Sequence, residues 1–316
     1  MEHAVEVRIP TFKRNDLLTR ALTSLREQSH KNWRAIILDD SDAGDAEILA
    51  KQFRDERIIY EKNPKNLGKA ANIDKAFKTA AYTQADYAFV LEDDNVLYPE
   101  FIKDNLSVSL QSGCPIVLCD QEYWIQDGDN YYKTADSILT PWYEEGQHSP
   151  QDLWTRLIFN SGISNGSLFW RTDAQTNLQV GEAVTDSNIQ ENLRCLKIRD
   201  KVYFNKKSLA KYTYFPRARQ KPWPRLKRIK YTATKMAILK VAAENVGASF
   251  FEVSRKIACD TKMLKHWEEY AARLGCFKWK WENLSEKQAK NLYFKELIRQ
   301  ILFNNIYQDI KKIIRN

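Results

Sequence analysis

The first 120 residues alternate short apolar runs with segments of helical periodicity, and this alternation limits what the chain can fold into. The apolar runs occupy residues 4–9, 34–39, 57–62, 86–91 and 115–119, and apolar residues recur at helical spacing around 15–25, 46–53, 69–81 and 99–111. Short strands that alternate with helices are typical of a parallel, doubly wound α/β sheet. We therefore predict such a sheet for the first half of the chain.

Acidic residues stand directly after two of these apolar runs. The stretch FVLEDDNVLYPEFI carries Glu92, Asp93 and Asp94 after one strand, and Asp39 and Asp40 end another. Ligands of doubly wound sheets bind beyond the carboxyl ends of the strands. Adjacent carboxylates repel each other and resist burial, so they need a positive charge nearby. A divalent Mg²⁺ or Mn²⁺ ion shared with substrate phosphates would supply it; the alternative is a solvated acidic turn.

The local signals along the rest of the chain are less regular. Asn15 is a predicted N-cap and Pro99 a predicted helix opening. Residues 122–133 have the turn chemistry of a β-hairpin, 161–171 read as a polar loop that feeds a strand, and 184–195 begin a helix.

The composition changes at residues 215–228, where prolines and basic residues indicate a hinge or surface loop. Beyond it the pattern is mainly helical, with a capping-box pair at Ser285 and Gln288. An apolar stripe lies near the end: Leu297, Ile298, Ile301, Leu302, Ile310, Ile313 and Ile314. We predict a main domain over 1–215 and a basic linker with a helical extension over 216–316.

The net charge of +8 is concentrated in one block. Residues 201–240 contain 13 Lys or Arg and no Asp or Glu, which predicts an anionic partner: a phosphate-bearing ligand, an acidic membrane surface or nucleic acid. The five cysteines fit no zinc spacing and are predicted to be reduced. The first residues lack the pattern of a signal peptide and no apolar run reaches the length of a membrane helix, so a cytoplasmic protein is expected.

Six short motifs follow one another along the chain: IPTFKR, ILDDSD, KNLGKAANIDKAF, FVLEDDN, ISNGSLFWR and TDSNIQENLR. Their order resembles that of the family 2 glycosyltransferases of the GT-A fold over about residues 4–215. The resemblance implies a Rossmann-like, doubly wound mixed sheet with a C-terminal helical extension. It also implies a nucleotide-binding half of about 1–120 and an acceptor half of about 121–215.

The same resemblance implies a set of site residues. It implies that Asp94 and Glu92 bind the metal ion, Mn²⁺ or Mg²⁺, although Glu92 departs from the family's DxD pattern. The residues implied for the nucleotide sugar are Pro10, Thr11, Lys13, Arg14, Asp39, Asn66, Lys69, Asn72, Asp93, Arg217 and Arg219. Arg217 and Arg219, with Lys221, stand where many relatives place a histidine.

Asp186 matches the family's catalytic base, with Thr185 in place of the usual Glu. The alternative for Asp186 is an N-cap of the helix that follows. The segment Asn165, Gly166 and Ser167 matches the acceptor-side loop, and a tight turn explains it almost as well. Three tryptophans could stack on an acceptor sugar or belong to the core: Trp142, Trp154 and Trp170.

The predicted function is an inverting, metal-dependent glycosyltransferase of the hexosyl type. Its donor would be a UDP-sugar and its acceptor a hydroxyl of a glycan or lipid-linked molecule, with peripheral contact at the inner membrane face. Two alternatives remain at this point. One is a nucleotidyltransferase of similar fold, although PTFKRND lacks the expected glycine-rich loop; the other is a module that binds nucleic acid or an anionic surface through 201–240.

Overall fold

A computed structural model of the chain describes residues 2–140, 142–159, 162–181, 183–216, 224–249 and 303–315. The strands are β1 Val5–Thr11, β2 Trp33–Asp39, β3 Ile58–Lys62, β4 Tyr87–Val90, β5 Val96–Leu97, β6 Ile116–Asp127, β7 Asn130–Ser137, β8 Gly146–His148, β9 Leu168–Arg171 and β10 Val202–Tyr214. The helices are α1 Asn15–Arg26, α2 Glu47–Gln52, α3 Lys69–Ala76, α4 Phe101–Ser112, α5 Pro150–Phe159, α6 Ser187–Lys197 and α7 Arg225–Asn245; residues 303–315 are also helical.

The strands form one mixed sheet in the order β3-β2-β1-β4-β9-β6-β10-β5. The first half of the chain supplies the parallel pairs β1–β2, β2–β3 and β1–β4, and β9 runs antiparallel to both β4 and β6. The doubly wound α/β sheet predicted from the sequence is therefore confirmed. Because β1, β2 and β4 are parallel, their carboxyl ends meet at the same edge.

A buried ion pair explains why α3 is shorter than its periodicity predicts. Glu6 and Arg8 lie on one face of β1, and Arg8 Nε donates to Glu6 at 2.7 Å with both side chains fully buried. Arg8 also donates to the carbonyl oxygens of Ala76 and Lys78. The first bond satisfies the carbonyl of the last residue of α3 and the second a carbonyl just beyond it, and the helix ends at Ala76 instead of Ala81.

Two further local predictions need correction. Asn15 is the first residue of α1 and not its N-cap, because its side chain donates to the carbonyl oxygen of Asp45. The strand predicted to end at Cys119 continues to Asp127. The prediction stopped early because the second half of the strand is partly exposed and lacks an apolar pattern. The predicted hairpin is present, with Asp127 paired to Asn130 across the turn between β6 and β7.

The chain divides into two compact units, one of residues 1–150 and 163–220 and the other of 151–162 and 221–316. In the second unit, the Tyr307 hydroxyl donates to Glu244, and Ile310 and Ile314 are buried. Within the described ranges, no helix is long and apolar enough to cross a membrane. Ser285, Gln288 and the first part of the apolar stripe lie outside those ranges, so the boundaries 1–215 and 216–316 stay predictions.

Candidate active site

The acidic stretch after β4 meets the first loop of the chain at the shared sheet edge. The Thr11 hydroxyl, at the end of β1, donates to Asp93 at 2.8 Å. Arg14 uses both terminal nitrogens, one to Asp93 at 2.9 Å and the other to Asp94 at 2.6 Å. In this structure the positive charge that the carboxylates require is the Arg14 guanidinium.

The cluster remains short of positive charge even with Arg14 in place. Burial and the neighbouring Asp94 raise the pKa of Glu92 to about 8, against the opposing effect of Lys69. Burial also raises the pKa of Asp93 to about 6, although Arg14 and the Thr11 hydroxyl hold it down. Burial lowers the pKa of Arg14, but Asp93 and Asp94 together raise it by more than burial lowers it, so the net shift is upward. The site therefore favours any additional cation.

Asp40 fixes the loop that leads into α3. Its carboxylate accepts the backbone N–H of Leu67 at 2.7 Å and of Gly68 at 2.8 Å, together with the Asn63 amide at 2.8 Å. Gly68 has φ +83° and ψ 156°, a conformation that is essentially restricted to glycine. The bend at Gly68 starts α3 at the cleft, so the first turn of the helix and Lys69 border it.

Asn72 joins three of the sequence motifs into one piece. Its side-chain amide donates to the carbonyl oxygen of Leu38 at 3.0 Å and accepts from Asn63 at 2.9 Å. The Asn66 amide donates to the carbonyl oxygen of Asp40 at 3.0 Å. The amide side chains predicted to contact a nucleotide thus also hold the second strand against α3.

A cleft of about 360 Å³ opens above this network. Its lining includes the predicted residues Pro10, Thr11, Arg14, Asn66, Lys69, Asn72, Glu92, Asp93 and Asp94. It also includes Asp40 and Gly68, which belong to the same motifs, and Phe12 and Ile73, which the sequence reasoning did not single out. Phe12 is 43% exposed. A large aromatic side chain in a polar loop is the signal that could have identified it.

Asp39 and Lys13 do not line the cleft. The Asp39 carboxylate accepts the backbone N–H groups of Ser41 and Ala46 and the Tyr60 hydroxyl, so it shapes the loop after β2. Lys13 borders an adjoining recess that it shares with Arg14. The nucleotide-contacting roles predicted for both residues remain predictions.

The predicted acceptor loop is buried beside the cleft and does not line it. Asn165 accepts from Arg194 at 2.6 Å and donates to Glu191 at 3.3 Å. A Cβ atom on Gly166 would stand 2.9 Å from Nε2 of Gln121, and the Ser167 hydroxyl donates to Gln121 at 3.1 Å. The loop is a single 3₁₀ turn packed on β6, and Asn165 brings Glu191 to this part of the protein; the acceptor role of the loop stays a prediction.

Asp186 is the N-cap of α6. Its carboxylate accepts the backbone N–H of Asn188 at 3.1 Å and of Ile189 at 3.2 Å. One turn further, the Gln190 amide donates to the carbonyl oxygen of Ala70, the residue after Lys69. This bond holds the start of α6 against the start of α3. A capping role does not exclude a catalytic one, because a carboxylate has more acceptor positions than two amides use.

The remaining candidates divide by position. Trp170 is buried and stacks on Phe77 with 5.5 Å between the ring centroids, and Trp154 is buried too, so both are core residues. Trp142 is 39% exposed. Arg217, Arg219 and Lys221 lie outside the described residues. Cys114, Cys119 and Cys195 are buried.

The part of the chain that the structure describes has no group of three His, Cys, Asp or Glu residues arranged to hold a metal ion. Magnesium-type sites commonly use one or two carboxylates and complete their coordination with substrate phosphates and water. Glu92 and Asp94 are close enough for Asp94 to raise the Glu92 pKa, and a divalent cation would relieve that repulsion. Their oxygen atoms fit such an ion.

The cleft lies at the carboxyl ends of parallel strands, which is where doubly wound α/β proteins bind their ligands. Carboxylates, a guanidinium and the start of a helix line it. The sequence model of the family Glycosyl transferase family 2 matches residues 6–175. The chain belongs to this family, and the resemblance found in its motifs is confirmed.

Curated relatives match part of the chain. It is 27% identical over 161 residues to the putative colanic acid biosynthesis glycosyl transferase WcaA of Escherichia coli, which covers 50% of this chain and 55% of the relative. It is 26% identical over 139 residues to the putative teichuronic acid biosynthesis glycosyltransferase TuaG of Bacillus subtilis, with coverages of 42% and 54%. The chain thus spans about half the length of these relatives.

Solved structures share the fold. TarS 1–349 of S. aureus in complex with UDP aligns with a TM-score of 0.57 at 13% identity, over 98% of this chain and 91% of that one. The same protein in complex with UDP-GlcNAc aligns with a TM-score of 0.53 at 13% identity, over 98% and 81%. These alignments support the GT-A architecture and the mixed sheet.

Proposed function

We propose that this glycosyltransferase moves a sugar from a nucleoside-diphosphate donor, a UDP-sugar, to a hydroxyl of a glycan or lipid-linked acceptor, with inversion at the anomeric carbon. The observation that carries the proposal is the cleft in which Arg14 bridges Asp93 and Asp94 beside the start of α3. Family membership favours sugar transfer over nucleotidyl transfer or nucleic-acid binding.

The donor's diphosphate suits the cationic side of the cleft. Arg14 and Lys69 offer charged donors, and the first turn of α3 presents backbone N–H groups and the positive end of the helix dipole. Arg14 can exchange a carboxylate for a phosphate oxygen because its fork fits both. The TarS complexes with UDP and UDP-GlcNAc support UDP as the nucleotide.

A divalent Mn²⁺ or Mg²⁺ ion would bind Asp94 with Glu92. When bound, such an ion neutralises charge that develops on the departing diphosphate. The protein's own contribution is the burial of Glu92 and its proximity to Asp94, which together raise the pKa of Glu92 to about 8 and make added positive charge favourable. Asp93 is held by Thr11 and Arg14 and keeps the loop in place.

Asp186 would act as the general base. The acceptor oxygen forms the new bond at the anomeric carbon, the bond from that carbon to the diphosphate oxygen breaks, and the acceptor proton passes to the Asp186 carboxylate. A base in this role typically contributes roughly 10²–10⁴-fold to the rate. The bond between Gln190 and the Ala70 carbonyl, which holds α6 against the donor side, supports the assignment.

The acceptor class follows from the relatives, whose printed names assign them to colanic acid and teichuronic acid biosynthesis. We infer a polysaccharide or a lipid-linked precursor. The excess of basic residues in 201–240 would help to hold the protein at the anionic cytoplasmic face of the membrane. Flotation with anionic liposomes tests that contact, and absence of binding at low salt would remove it.

A thermal-shift panel of UDP, GDP and UDP-sugars with and without Mn²⁺ tests the proposed function. UDP with Mn²⁺ is expected to raise the unfolding temperature more than either alone, because the ion and the diphosphate share the site. Lack of response to every nucleotide would contradict the proposal.

Asp94→Asn and Asp104→Asn form a matched pair for this panel. Each removes the charge of one partly exposed aspartate: Asp94 is paired to Arg14, and Asp104, on α4, is paired to Lys207. We expect Asp94→Asn to lose the Mn²⁺-dependent part of the shift. Asp104→Asn, outside the cleft lining, is expected to keep all of it.

A further inference from the structure

A row of tyrosines covers one face of the paired strands β6 and β10. Tyr123 on β6 stands opposite Tyr212 on β10, and Tyr214 follows two residues later, on the same face. The Tyr123 ring is nearly parallel to both neighbours, at interplanar angles of 22° and 27°, with 5.8 Å between centroids in each case. At that separation the rings are displaced sideways instead of covering one another. All three side chains are partly exposed.

This tyrosine row lies beside the acidic cluster. The backbone N–H of Thr213, between two of the tyrosines, donates to the Asn95 side chain at 3.1 Å, and Asn95 follows the acidic stretch directly. This hydrogen bond places the tyrosine row next to the residue that follows the acidic stretch.

The same face also reaches the predicted acceptor loop. Gln121 precedes Tyr123 by two residues on β6, so both side chains point to one side of the sheet. The side-chain oxygen Oε1 of Gln121 accepts from the hydroxyls of Ser164 at 3.0 Å and Ser167 at 3.1 Å. Gln121, Ser164 and Ser167 are all buried, so these bonds fix β6 from the interior of the protein, next to the tyrosine row.

The opposite face of these strands is occupied by its own side chains. Glu122 accepts from the Tyr98 hydroxyl at 2.6 Å, the Trp124 indole at 2.8 Å and the Lys133 ammonium at 2.6 Å. These bonds gather the polar groups around one carboxylate. The two faces thus differ: one is a closed polar cluster, and the other a row of rings next to the cleft.

We propose that Tyr123, Tyr212 and Tyr214 form the acceptor subsite and bind a pyranose ring of the acceptor glycan. A pyranose has an apolar C–H face and polar hydroxyls, and tyrosine matches it with an apolar ring and a polar tip. Bound there, the sugar lies beside the residues that follow the acidic stretch, because β10 is joined to Asn95 at Thr213. This inference rests on the proposed function, since it names the substrate class of the same site.

Saturation-transfer NMR tests the subsite with methyl glycosides of glucose, galactose, mannose and N-acetylglucosamine as probes, in the presence of UDP and Mg²⁺. The wild-type protein is expected to transfer saturation to the ring protons of at least one glycoside. Tyr123→Leu and Tyr212→Leu keep apolar volume but remove the aromatic face, and we expect each to reduce the transferred signal at least about fivefold.

Tyr132→Leu is the matched control. Tyr132 lies on the neighbouring strand β7, is 50% exposed and is not part of the row. This variant is expected to retain the wild-type signal. Tyr212→Phe, which keeps the ring and loses only the hydroxyl, serves as a second variant should the leucine variants fail to fold, and it is expected to lose about half of the signal.

The outcomes separate the two proposals. Stabilisation by UDP, measured on every variant, reports the fold and the donor site independently of the acceptor. If UDP stabilises the protein but no glycoside receives saturation, or if the row variants bind as well as wild type, the acceptor subsite is overturned and the proposed function stands. If no nucleotide stabilises the wild type, the proposed function itself fails.

Discussion

Arg14 is the residue that answers the charge problem posed by Glu92, Asp93 and Asp94. It comes from the loop after β1, 79 and 80 residues away from its two partners. An ammonium would act as a point charge, whereas the planar guanidinium bonds two carboxylates at once. The same geometry suits the exchange between carboxylate and phosphate that the proposed donor site requires.

Asp186 carries two roles that one substitution can separate. Asp186→Asn preserves the N-cap, because asparagine caps helices about as well as aspartate, but it removes the base. We expect an unchanged unfolding temperature and a turnover reduced by about 10²–10⁴-fold in a sugar-transfer assay. Asp186→Ala, the control, should lose about 1 kcal/mol of stability as well. A folded Asp186→Asn enzyme with wild-type turnover would contradict the assignment.

Glu92 makes stability depend on pH. Its pKa rises from 4.5 to about 8 on folding, so the folded protein keeps a proton that the unfolded chain releases. The stabilising contribution is present in full below about pH 4.5 and is lost as the pH rises through 8. In metal-free buffer, the free energy of unfolding, measured by urea denaturation, should therefore fall less for Glu92→Gln than for wild type as the pH rises from 5 to 9.

Glu122→Gln is the control for this pH dependence. Burial raises the Glu122 pKa, but the hydrogen bonds from Lys133, Tyr98 and Trp124 together lower it by more, so the net shift is downward. Removing that carboxylate should cost stability at neutral and high pH, the opposite sign. Identical pH profiles for Glu92→Gln and wild type would show that the Glu92 carboxyl is not perturbed.

At the scale of elements, the start of α3 depends on one backbone conformation. Gly68 sits at φ +83° and ψ 156°, and its N–H donates to Asp40. A Cβ atom there would meet nothing within 4 Å. Any cost of a side chain at Gly68 is therefore conformational, with no steric clash added.

Gly68→Ala is expected to lower the free energy of unfolding by about 1–3 kcal/mol, because this region is essentially restricted to glycine. It should also reduce the UDP-dependent thermal shift, since the first turn of α3 lines the cleft. Gly113→Ala is the control: Gly113 has φ +69° at the end of α4, also with nothing within 4 Å. It should cost about 1–2 kcal/mol and leave the UDP shift intact.

At the scale of the whole first unit, a buried ion pair joins distant segments. Asp74 on α3 accepts from Arg194 on α6 at 2.9 Å, 120 residues along the chain, with 1% of each side chain exposed. Asp74 also accepts the N–H groups of Val180 and Gly181, at 2.8 and 2.7 Å. Burial lowers the Arg194 pKa to about 10. The pair fixes α6, and with it Asp186, relative to the donor side.

Breaking the pair should cost more than removing it. Asp74→Asn leaves the Arg194 charge buried without its partner and is expected to destabilise the protein by about 3–5 kcal/mol. The double variant Asp74→Asn/Arg194→Met should cost less than the sum of the single variants, with a coupling of at least about 1 kcal/mol in urea denaturation. Strictly additive single-variant costs would show that the two side chains do not interact.

The elements with clear periodicity were predictable, and their ends were not. The strand and helix patterns of residues 4–119 predicted the parallel half of the sheet, because burial on both faces leaves continuous apolar runs. The end of α3 was missed because Arg8, far away in sequence, takes up its last carbonyls. The continuity of β6 was missed, because the polar residues 120–122 between the predicted strand and the predicted hairpin gave no apolar pattern.

The sequence alone determined the fold class, the family and the residue types that gather at one sheet edge. The reason is that apolar periodicity and short motifs can be read directly along the chain. Only the tertiary structure decided how those residues share their charges. Asp93 and Asp94 both pair with Arg14. Asp40 lines the cleft, whereas Asp39 binds the loop after β2. Glu92 is among the carboxylates that raise the pKa of Tyr212. Such pairings depend on distances between segments far apart in the chain, and no local pattern encodes them.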